Sequence, residues 1–227
     1  MSYIKDPSSI EAKSFQIIQS IIDEEHAGYT FKDGMEESII KRAIHTSADF
    51  DYLYNLKFSN DGVQNIIRAL EEKGTIFTDT NMALSGINKR ILDELGVKYS
   101  CLVNDENVAK YAKEHGITRS MAAIEYAATV EGPKVFVLGN APTAVYKVID
   151  MVNEGKLVAD AVVGVPVGFV GAAESKQALH DSDIPAISAL GRKGGSNVAA
   201  AIINAILYQL QYKTEDYQRY YTPDKKD

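Results

Sequence analysis

Apolar residues recur at helical spacing through the first third of the chain. The stretch 10–22 places isoleucine and phenylalanine side chains on one face of a predicted helix. Similar patterns predict a second helix over 35–45 and a third over 63–73. Residues from about 8 to 73 are therefore expected to form a helical N-terminal part of the protein.

From residue 75 onwards, short apolar runs alternate with helical stretches. The runs are β-rich and mostly apolar, which is typical of strands buried on both faces. They are 75–78, 99–103, 134–138, 161–163 and 184–188, and helices are expected at 88–95, 106–115, 120–129, 143–153 and 197–210. This alternation predicts right-handed β–α–β crossovers. The expected fold is a three-layer α/β/α sandwich around a five-stranded, mainly parallel sheet of the flavodoxin-like type.

The whole chain, 1–227, is expected to be a single domain. Its 227 residues, 45% of them apolar, are enough to bury roughly 70–75% of the unfolded surface without metal or disulfide staples. The helical part is followed by an α/β core over about 75–210. The segment 211–227 carries charges of both signs and several tyrosines, and it is predicted to be a surface tail.

Composition excludes several classes of protein. A formal net charge of −7 argues against a general nucleic-acid binder. No apolar run approaches the roughly 20 residues that span a bilayer, and the N-terminus lacks the pattern of a secretory signal. Cys101 is the single cysteine, so the chain can form neither a disulfide framework nor a CxxC metal site. A cytoplasmic location is expected.

The segments that follow four of the predicted strands are the first place to look for a ligand. Ligands of open parallel sheets bind outside the carboxyl ends of the strands. These segments are 79–82, 139–143, 164–176 and 191–196. The last three contain glycine, which lets a backbone approach a ligand, and the helix N-termini that follow attract anions. The need for a tight turn explains the glycine in any one of these segments. Three such segments at one edge of the sheet together predict a crevice for a polyanionic ligand.

Known nucleotide and metal signatures are absent from the sequence. There is no GxGxxG or Walker loop, and the four histidines are scattered, so no metal site is predicted. His45 stands out because Arg42 precedes it by three residues and so shares its helical face. An imidazole exchanges protons near neutral pH. A histidine that merely interacts with the helix dipole also explains the position of His45. Arg119, in the segment 117–120, is equally explained as an ordinary surface arginine. Asp79 fits either a helix cap or a ligand contact.

Six sequence blocks between residues 44 and 205 are shared with a known family, and the resemblance covers about residues 14–207. They are IHTSADFDY, TDTNM, GITRSMAA, GNAPTA, GVPVGFVGAAESK and GRKGGSNVAAAIINA. In this combination the chain resembles the precorrin-8X methylmutases of cobalamin biosynthesis. The GNAPTA and PVGFVGAAESK blocks are the most specific.

The resemblance implies an isomerase that moves a methyl group from C11 to C12 of a contracted tetrapyrrole. No donor cofactor is implied, and cobalt, if present, belongs to the substrate. The family resemblance also implies a homodimer. A cobalt-precorrin-8 substrate giving cobyrinic acid is favoured; metal-free precorrin-8X giving hydrogenobyrinic acid, a non-catalytic tetrapyrrole carrier and a generic phosphate binder are the alternatives.

The resemblance also assigns roles to individual residues. It makes His45 the catalytic group, which protonates or hydrogen-bonds a pyrrolic nitrogen, and it makes Ser14 and Arg42 substrate contacts. Cations expected to meet the substrate carboxylates are Arg119, Arg192 and Lys193. Apolar side chains expected to line the ring faces are Met82, Val165, Val167 and Phe169. Further contacts are expected at Asp79, Ser120, Asn140, Ala141, Thr143 and Gly168. Because the chain is acidic, local positive charge must dominate at the cleft.

Overall fold

A computed structural model describes residues 7–212, which form a layered α/β structure. In chain order its elements are α1 (Pro7–Glu25), α2 (Gly34–Ser47), α3 (Tyr52–Asn55), β1 (Leu56–Ser59), α4 (Gly62–Glu71), β2 (Thr75–Thr78), α5 (Asn81–Gly86), α6 (Lys89–Leu95), β3 (Lys98–Ser100), a 3₁₀ turn (Leu102–Asn104), α7 (Glu106–His115), α8 (Arg119–Ala128), β4 (Lys134–Leu138), α9 (Pro142–Asn153), β5 (Ala161–Gly164), α10 (Ala172–His180), β6 (Ala186–Ala189) and α11 (Ser196–Tyr212). No described helix is long and apolar enough to cross a membrane.

The central sheet has six strands in the order β1-β6-β5-β4-β2-β3 among the described residues. All neighbours are parallel except β1, which runs antiparallel to β6. Counted along the chain, the five parallel strands have the order 2-1-3-4-5, which is the flavodoxin-like arrangement. The sandwich and its parallel strands are confirmed, whereas the expected count of five strands was one too few.

The strand missing from the prediction, β1, lies at the edge of the sheet. It has only four residues, and Lys57 within it is exposed, so it lacks the fully apolar pattern of the central strands. A tight turn at Asn60 and Asp61, both with positive φ, leads from β1 into α4. At Gly62 a Cβ atom would lie 2.5 Å from the carbonyl oxygen of Ala186, so this turn packs directly on the sheet.

Alternate side chains of the central strands enter two separate cores. On one face, Val135, Val137 and Val163 belong to a core formed with α4 and α11, and α2 packs on the outer side of α11. On the other face, Phe136 and Leu138 pack against α8, α9 and α10. This period-2 division gives each strand two buried faces, which is why the runs are almost wholly apolar.

Several predicted boundaries move in the structure. The apolar run 99–103 forms a strand only as far as Ser100 and then turns. The segment 164–176 was expected to be a loop, but its second half begins α10, where Gly171 adopts a positive φ just before the helix. Helices α3 and α5 were not predicted. The expected tail, 211–227, begins inside α11 and lies outside the described residues from 213 onwards.

Candidate active site

Helix α2 places His45 near the carboxyl edge of the sheet. Helices α2 and α11 run antiparallel: Gln209 donates to Ser38 at one end (3.2 Å), and Asn197 approaches the Thr46 carbonyl at the other (3.5 Å). Asn197 lies in the first turn of α11, directly after the loop that follows β6. His45 is exposed there and lies in the last turn of α2.

The Phe15 ring contacts both His45 and Arg42. The Phe15 ring stacks on the imidazole at 5.3 Å between centroids and 18° between planes. The Arg42 guanidinium lies over the same ring at 5.2 Å, and over Tyr208 at 4.6 Å, while its Nη2 binds Glu11 at 2.7 Å. The structure therefore brings Arg42 and His45 together, but Glu11 already pairs with the arginine.

Ser14 lies beside Phe15 on the same helix. It is half-buried, and its hydroxyl donates to the Ile10 carbonyl at 2.9 Å. This is an ordinary contact within a helix, so the hydroxyl has to rotate before it can donate to a ligand.

Asp79 turns inward from the sheet edge and holds the next loop. Its carboxylate accepts three backbone N–H bonds, from Gly139 at 2.9 Å and from Asn140 and Ala141 at 2.7 Å each. Burial raises the pKa of this carboxyl, and the three N–H donors oppose that rise. The side chain is 5% exposed, so the expectation of a direct ligand contact is replaced by a structural role: Asp79 sets the start of α9.

A second polar contact ties this edge to α11. The Thr80 hydroxyl lies 2.7 Å from the Ser196 hydroxyl and also caps α5 by accepting from Ala83 at 3.0 Å. At Gly139 a Cβ atom would lie 2.7 Å from the Ser196 Cα, so the loop after β4 touches the start of α11 backbone to backbone. Thr80 was not predicted, although a threonine directly before a helix is a recognisable cap.

The loops after β5 and β6 also pack backbone to backbone. Gly168 donates to the Arg192 carbonyl at 3.1 Å, and Gly195 donates to the Val165 carbonyl at 2.9 Å. A Cβ atom at Gly194 would lie 2.1 Å from that same carbonyl oxygen. Glycine is required here because the two loops approach each other closely, whereas the sequence predicted glycine for close approach to a ligand.

These two loops form one wall of an open cleft of about 770 Å³. Its other walls come from α3 and the start of α10. The lining residues are Asp51, Tyr54, Asn55, Gly168, Phe169, Ala173, Glu174, Leu190, Gly191, Arg192 and Lys193. His45 is not among them. Lys193 links the cleft to the region of His45, because its side chain lines the cleft and binds Asp49, four residues after His45.

The expected apolar contacts separate into exposed and buried side chains. Phe169 is 87% exposed with Arg192 over its ring at 5.9 Å, and Met82 and Val167 are also exposed. Val170, which was not predicted, is 90% exposed beside them. Val165, by contrast, is fully buried in the core and has no surface to offer a ligand, so that expectation was wrong.

The remaining predicted contacts lie around the starts of α8 and α9. Arg119 and Asn140 are exposed, and the Thr143 hydroxyl lies 3.1 Å from that of Thr118. Ser120 lines a small internal cavity that it shares with Asp79, and Ala141 is buried. Arg119 and Asn140 thus offer free surface, whereas Ser120 and Ala141 offer little.

Lys176 is a buried cation that the sequence interpretation missed. Its side chain is fully buried, and its Nζ donates to the Lys193 carbonyl at 2.6 Å. Burial lowers the pKa of this amine to about 8. The sequence carries little signal for it: residues 172, 175, 176 and 179 form the buried face of α10, but only Ala172 and Leu179 among them are apolar.

The fold and this edge define a class of protein: a flavodoxin-like α/β protein whose carboxyl rim combines an exposed imidazole, exposed apolar side chains and glycine loops. Among the described residues no cluster of metal-ligating side chains occurs. The rim therefore suits a broad ligand with an apolar face and anionic groups.

Comparison with known proteins identifies the family. The family model described as precorrin-8X methylmutase matches residues 9–209, and the chain belongs to that family. It is 54% identical to the cobalt-precorrin-8 methylmutase of Salmonella typhimurium, over 93% of this chain and 99% of the relative. It is 38% identical to the cobalt-precorrin-8 methylmutase of Methanocaldococcus jannaschii, over 89% and 94%.

A solved structure supports the same assignment. The crystal structure of precorrin-8x methyl mutase from Thermus thermophilus superimposes with a TM-score of 0.77 at 32% identity, covering 88% of this chain and 94% of that one. The protein is thus an isomerase of the methylmutase type.

Proposed function

We propose that the protein converts cobalt-precorrin-8 to cobyrinic acid by moving the methyl group on C11 to C12. The reaction is an isomerisation: the C11–methyl bond breaks, the C12–methyl bond forms, and no atom is gained overall. The observation that carries the proposal is an exposed imidazole, His45, at the carboxyl rim of a sheet whose neighbouring loops present helix N-termini and exposed apolar side chains.

In this mechanism His45 donates a hydrogen bond to a pyrrolic nitrogen of the ring, or gives it a proton and takes that proton back once the methyl group has moved. Withdrawing electrons from the macrocycle lowers the barrier to migration of the methyl group. The stacked Phe15 ring restricts how the imidazole can rotate, which favours one direction for the donated proton. No methyl donor enters the reaction, and the proposal includes no protein-bound metal: cobalt enters inside the substrate.

Rim residues of the chain suit the two chemical characters of the substrate. Exposed Phe169, Met82 and Val167 meet the apolar faces of the ring. Arg119 and Arg192 are exposed cations that meet its acetate and propionate carboxylates. Within the cleft, Arg192 and Lys193 are matched by Asp51 and Glu174, so the excess of positive charge expected from the sequence is not found in its lining.

The proposal includes a homodimer in the cytoplasm, where the thiol of Cys101 would stay reduced. Phe169 and Val170 are 87% and 90% exposed next to each other, which is unusual for side chains that remain in water. A second copy of the chain would cover part of this surface and complete the pocket around a large substrate.

Anaerobic conversion assays test the function. Cobalt-precorrin-8 and metal-free precorrin-8X are supplied separately, and the visible spectrum is followed, because migration changes the conjugation of the ring. We expect a spectral shift with catalytic amounts of protein, faster for the cobalt form, as the names of the similar proteins suggest. A stoichiometric binding spectrum without turnover would indicate a carrier, and faster turnover of the metal-free form would reverse the choice of substrate.

A further inference from the structure

A three-residue ion cluster joins the loop after β6 to the turn that follows His45. The Lys193 Nζ lies 2.6 Å from an oxygen of Asp49 and 2.6 Å from an oxygen of Asp51. Two carboxylates around one ammonium leave the cluster with a net charge of −1. A substrate carboxylate approaching Lys193 would therefore meet repulsion from the two aspartates as well as attraction. This arrangement disfavours a direct contact between Lys193 and the substrate.

The aspartates belong to a tightly bonded turn at the end of α2. Ala48 caps the helix with a positive φ of 55° and donates to the Ile44 carbonyl at 2.7 Å. Asp49 then accepts from the Asp51 backbone N–H at 3.0 Å through the oxygen that Lys193 does not use. Lys193 thus binds two side chains of the turn that directly follows the C-cap of α2, and the first of them, Asp49, lies four residues after His45.

The backbone of Lys193 is itself held firmly. The Lys176 ammonium, fully buried, donates to the Lys193 carbonyl at 2.6 Å. Burying a cation is unfavourable, and this short hydrogen bond compensates part of that cost while it holds the Lys193 carbonyl in place. The bonds from Gly168 to Arg192 and from Gly195 to Val165 fix the loop on either side of Lys193.

From these contacts we infer that Lys193 is a positioning residue for His45, acting through Asp49 and Asp51 from a loop that Lys176 anchors. The inference rests on the proposed function, because it assigns His45 the catalytic part. Lys193 acts on the orientation of the imidazole and leaves the binding of substrate carboxylates to Arg119 and Arg192.

Steady-state kinetics with cobalt-precorrin-8 distinguish a positioning role of Lys193, which affects kcat, from direct substrate binding, which affects KM. If Lys193 positions His45, Lys193→Met and the double variant Asp49→Asn/Asp51→Asn each lower kcat by about tenfold or more with little change in KM, since a misplaced catalytic group costs rate rather than affinity. Lys193→Arg restores kcat because a guanidinium can bind both carboxylates. Combining Lys193→Met with the double variant adds no further loss. The control is Lys156→Met, which removes another lysine ion pair, with Glu154 at 2.7 Å, and is expected to behave like the wild type.

The opposite kinetic pattern overturns the inference. If Lys193 binds substrate directly, Lys193→Met raises KM, and Asp49→Asn/Asp51→Asn lowers KM by releasing the ammonium. Wild-type kinetics in both variants would also refute it.

A readout independent of turnover separates this inference from the proposed function. Amide hydrogen exchange of the segment 44–51 is expected to be about tenfold faster in Lys193→Met than in Lys156→Met, because the turn loses its tie to the loop. Unchanged exchange refutes the positioning role whether or not the wild type converts substrate. Faster exchange with an inactive wild type refutes the proposed function alone and leaves the structural tie standing.

Discussion

At the scale of single residues, the two buried charges at the carboxyl edge serve backbone groups. Asp79 accepts three N–H bonds from one loop, and Lys176 donates to the carbonyl of another. An ion with hydrogen-bond partners tolerates burial better than a bare one. The place of Asp79 directly after a strand made it a candidate for a cap or a ligand contact, but the sequence does not reveal its partners because they lie about sixty residues away along the chain.

The buried Lys176 makes stability depend on pH in a defined direction. Its pKa is about 8 in the folded protein against 10.5 ordinarily, so above pH 8 the unfolded chain binds more protons than the folded chain does. The free energy of unfolding of the wild type should therefore rise, relative to that of Lys176→Met, by about 2 kcal/mol between about pH 7.5 and 9.5.

Urea unfolding of the two proteins at both pH values measures this difference. Lys156→Met, which leaves Lys176 in place, should keep the wild-type dependence. A constant difference between the wild type and Lys176→Met across this range would show that Lys176 is not desolvated in solution.

At the scale of elements, the site is built from loops that touch each other through glycine. The loop after β4 meets α11 at Gly139, and the loops after β5 and β6 meet at Gly194. The sequence predicted glycine loops at this rim because strand-to-helix turns recur there. It could not predict which loops pack together, since that depends on the order of strands in the sheet.

Substituting Gly139 tests the close contact between the β4 loop and α11. Gly139→Ala is expected to lower the free energy of unfolding by about 1–3 kcal/mol, because its Cβ would lie 2.7 Å from the Ser196 backbone. Gly34→Ala is the matched control, since nothing lies within 4 Å of its Cβ. Chemical denaturation compares the two variants. Equal stability of both would mean that the Gly139–Ser196 contact is looser in solution than in the structure.

The elements themselves were predictable to different degrees. The central strands β4 and β5 were recognised because every residue in them is buried, so the pattern is continuous. Edge strand β1 was missed because its outward positions are polar or half-buried. Helix α10 was missed because glycines precede it and its inner face includes Ser175 and Lys176, which do not look like core residues.

At the scale of the whole molecule, the carboxyl rim exposes several large apolar side chains to solvent. Phe169, Val170 and Met82 are all more than two-thirds exposed at the carboxyl edge. The sequence predicted Phe169 and Met82 as ring contacts and missed Val170. The proposed ring-shaped substrate and the proposed second subunit would together cover this surface.

A charge at Val170 tests the proposed homodimer. Val170→Glu is expected to shift the protein from twice the mass of one chain towards a single chain in light scattering, because a carboxylate in an apolar interface is costly. Val158→Glu is the matched control, since Val158 is 75% exposed near the other edge of the sheet, before β5. A wild-type monomer, or equal dissociation of both variants, would contradict the homodimer at this surface.

The proposed mechanism depends most on the imidazole of His45, and one substitution tests its role directly. His45→Ala is assayed with cobalt-precorrin-8 under anaerobic conditions, alongside the binding of cobyrinic acid followed by absorbance. We expect kcat to fall by about 100-fold or more, as is typical for loss of a general acid, while cobyrinic acid still binds. Conversion by His45→Ala at the wild-type rate would contradict the central claim.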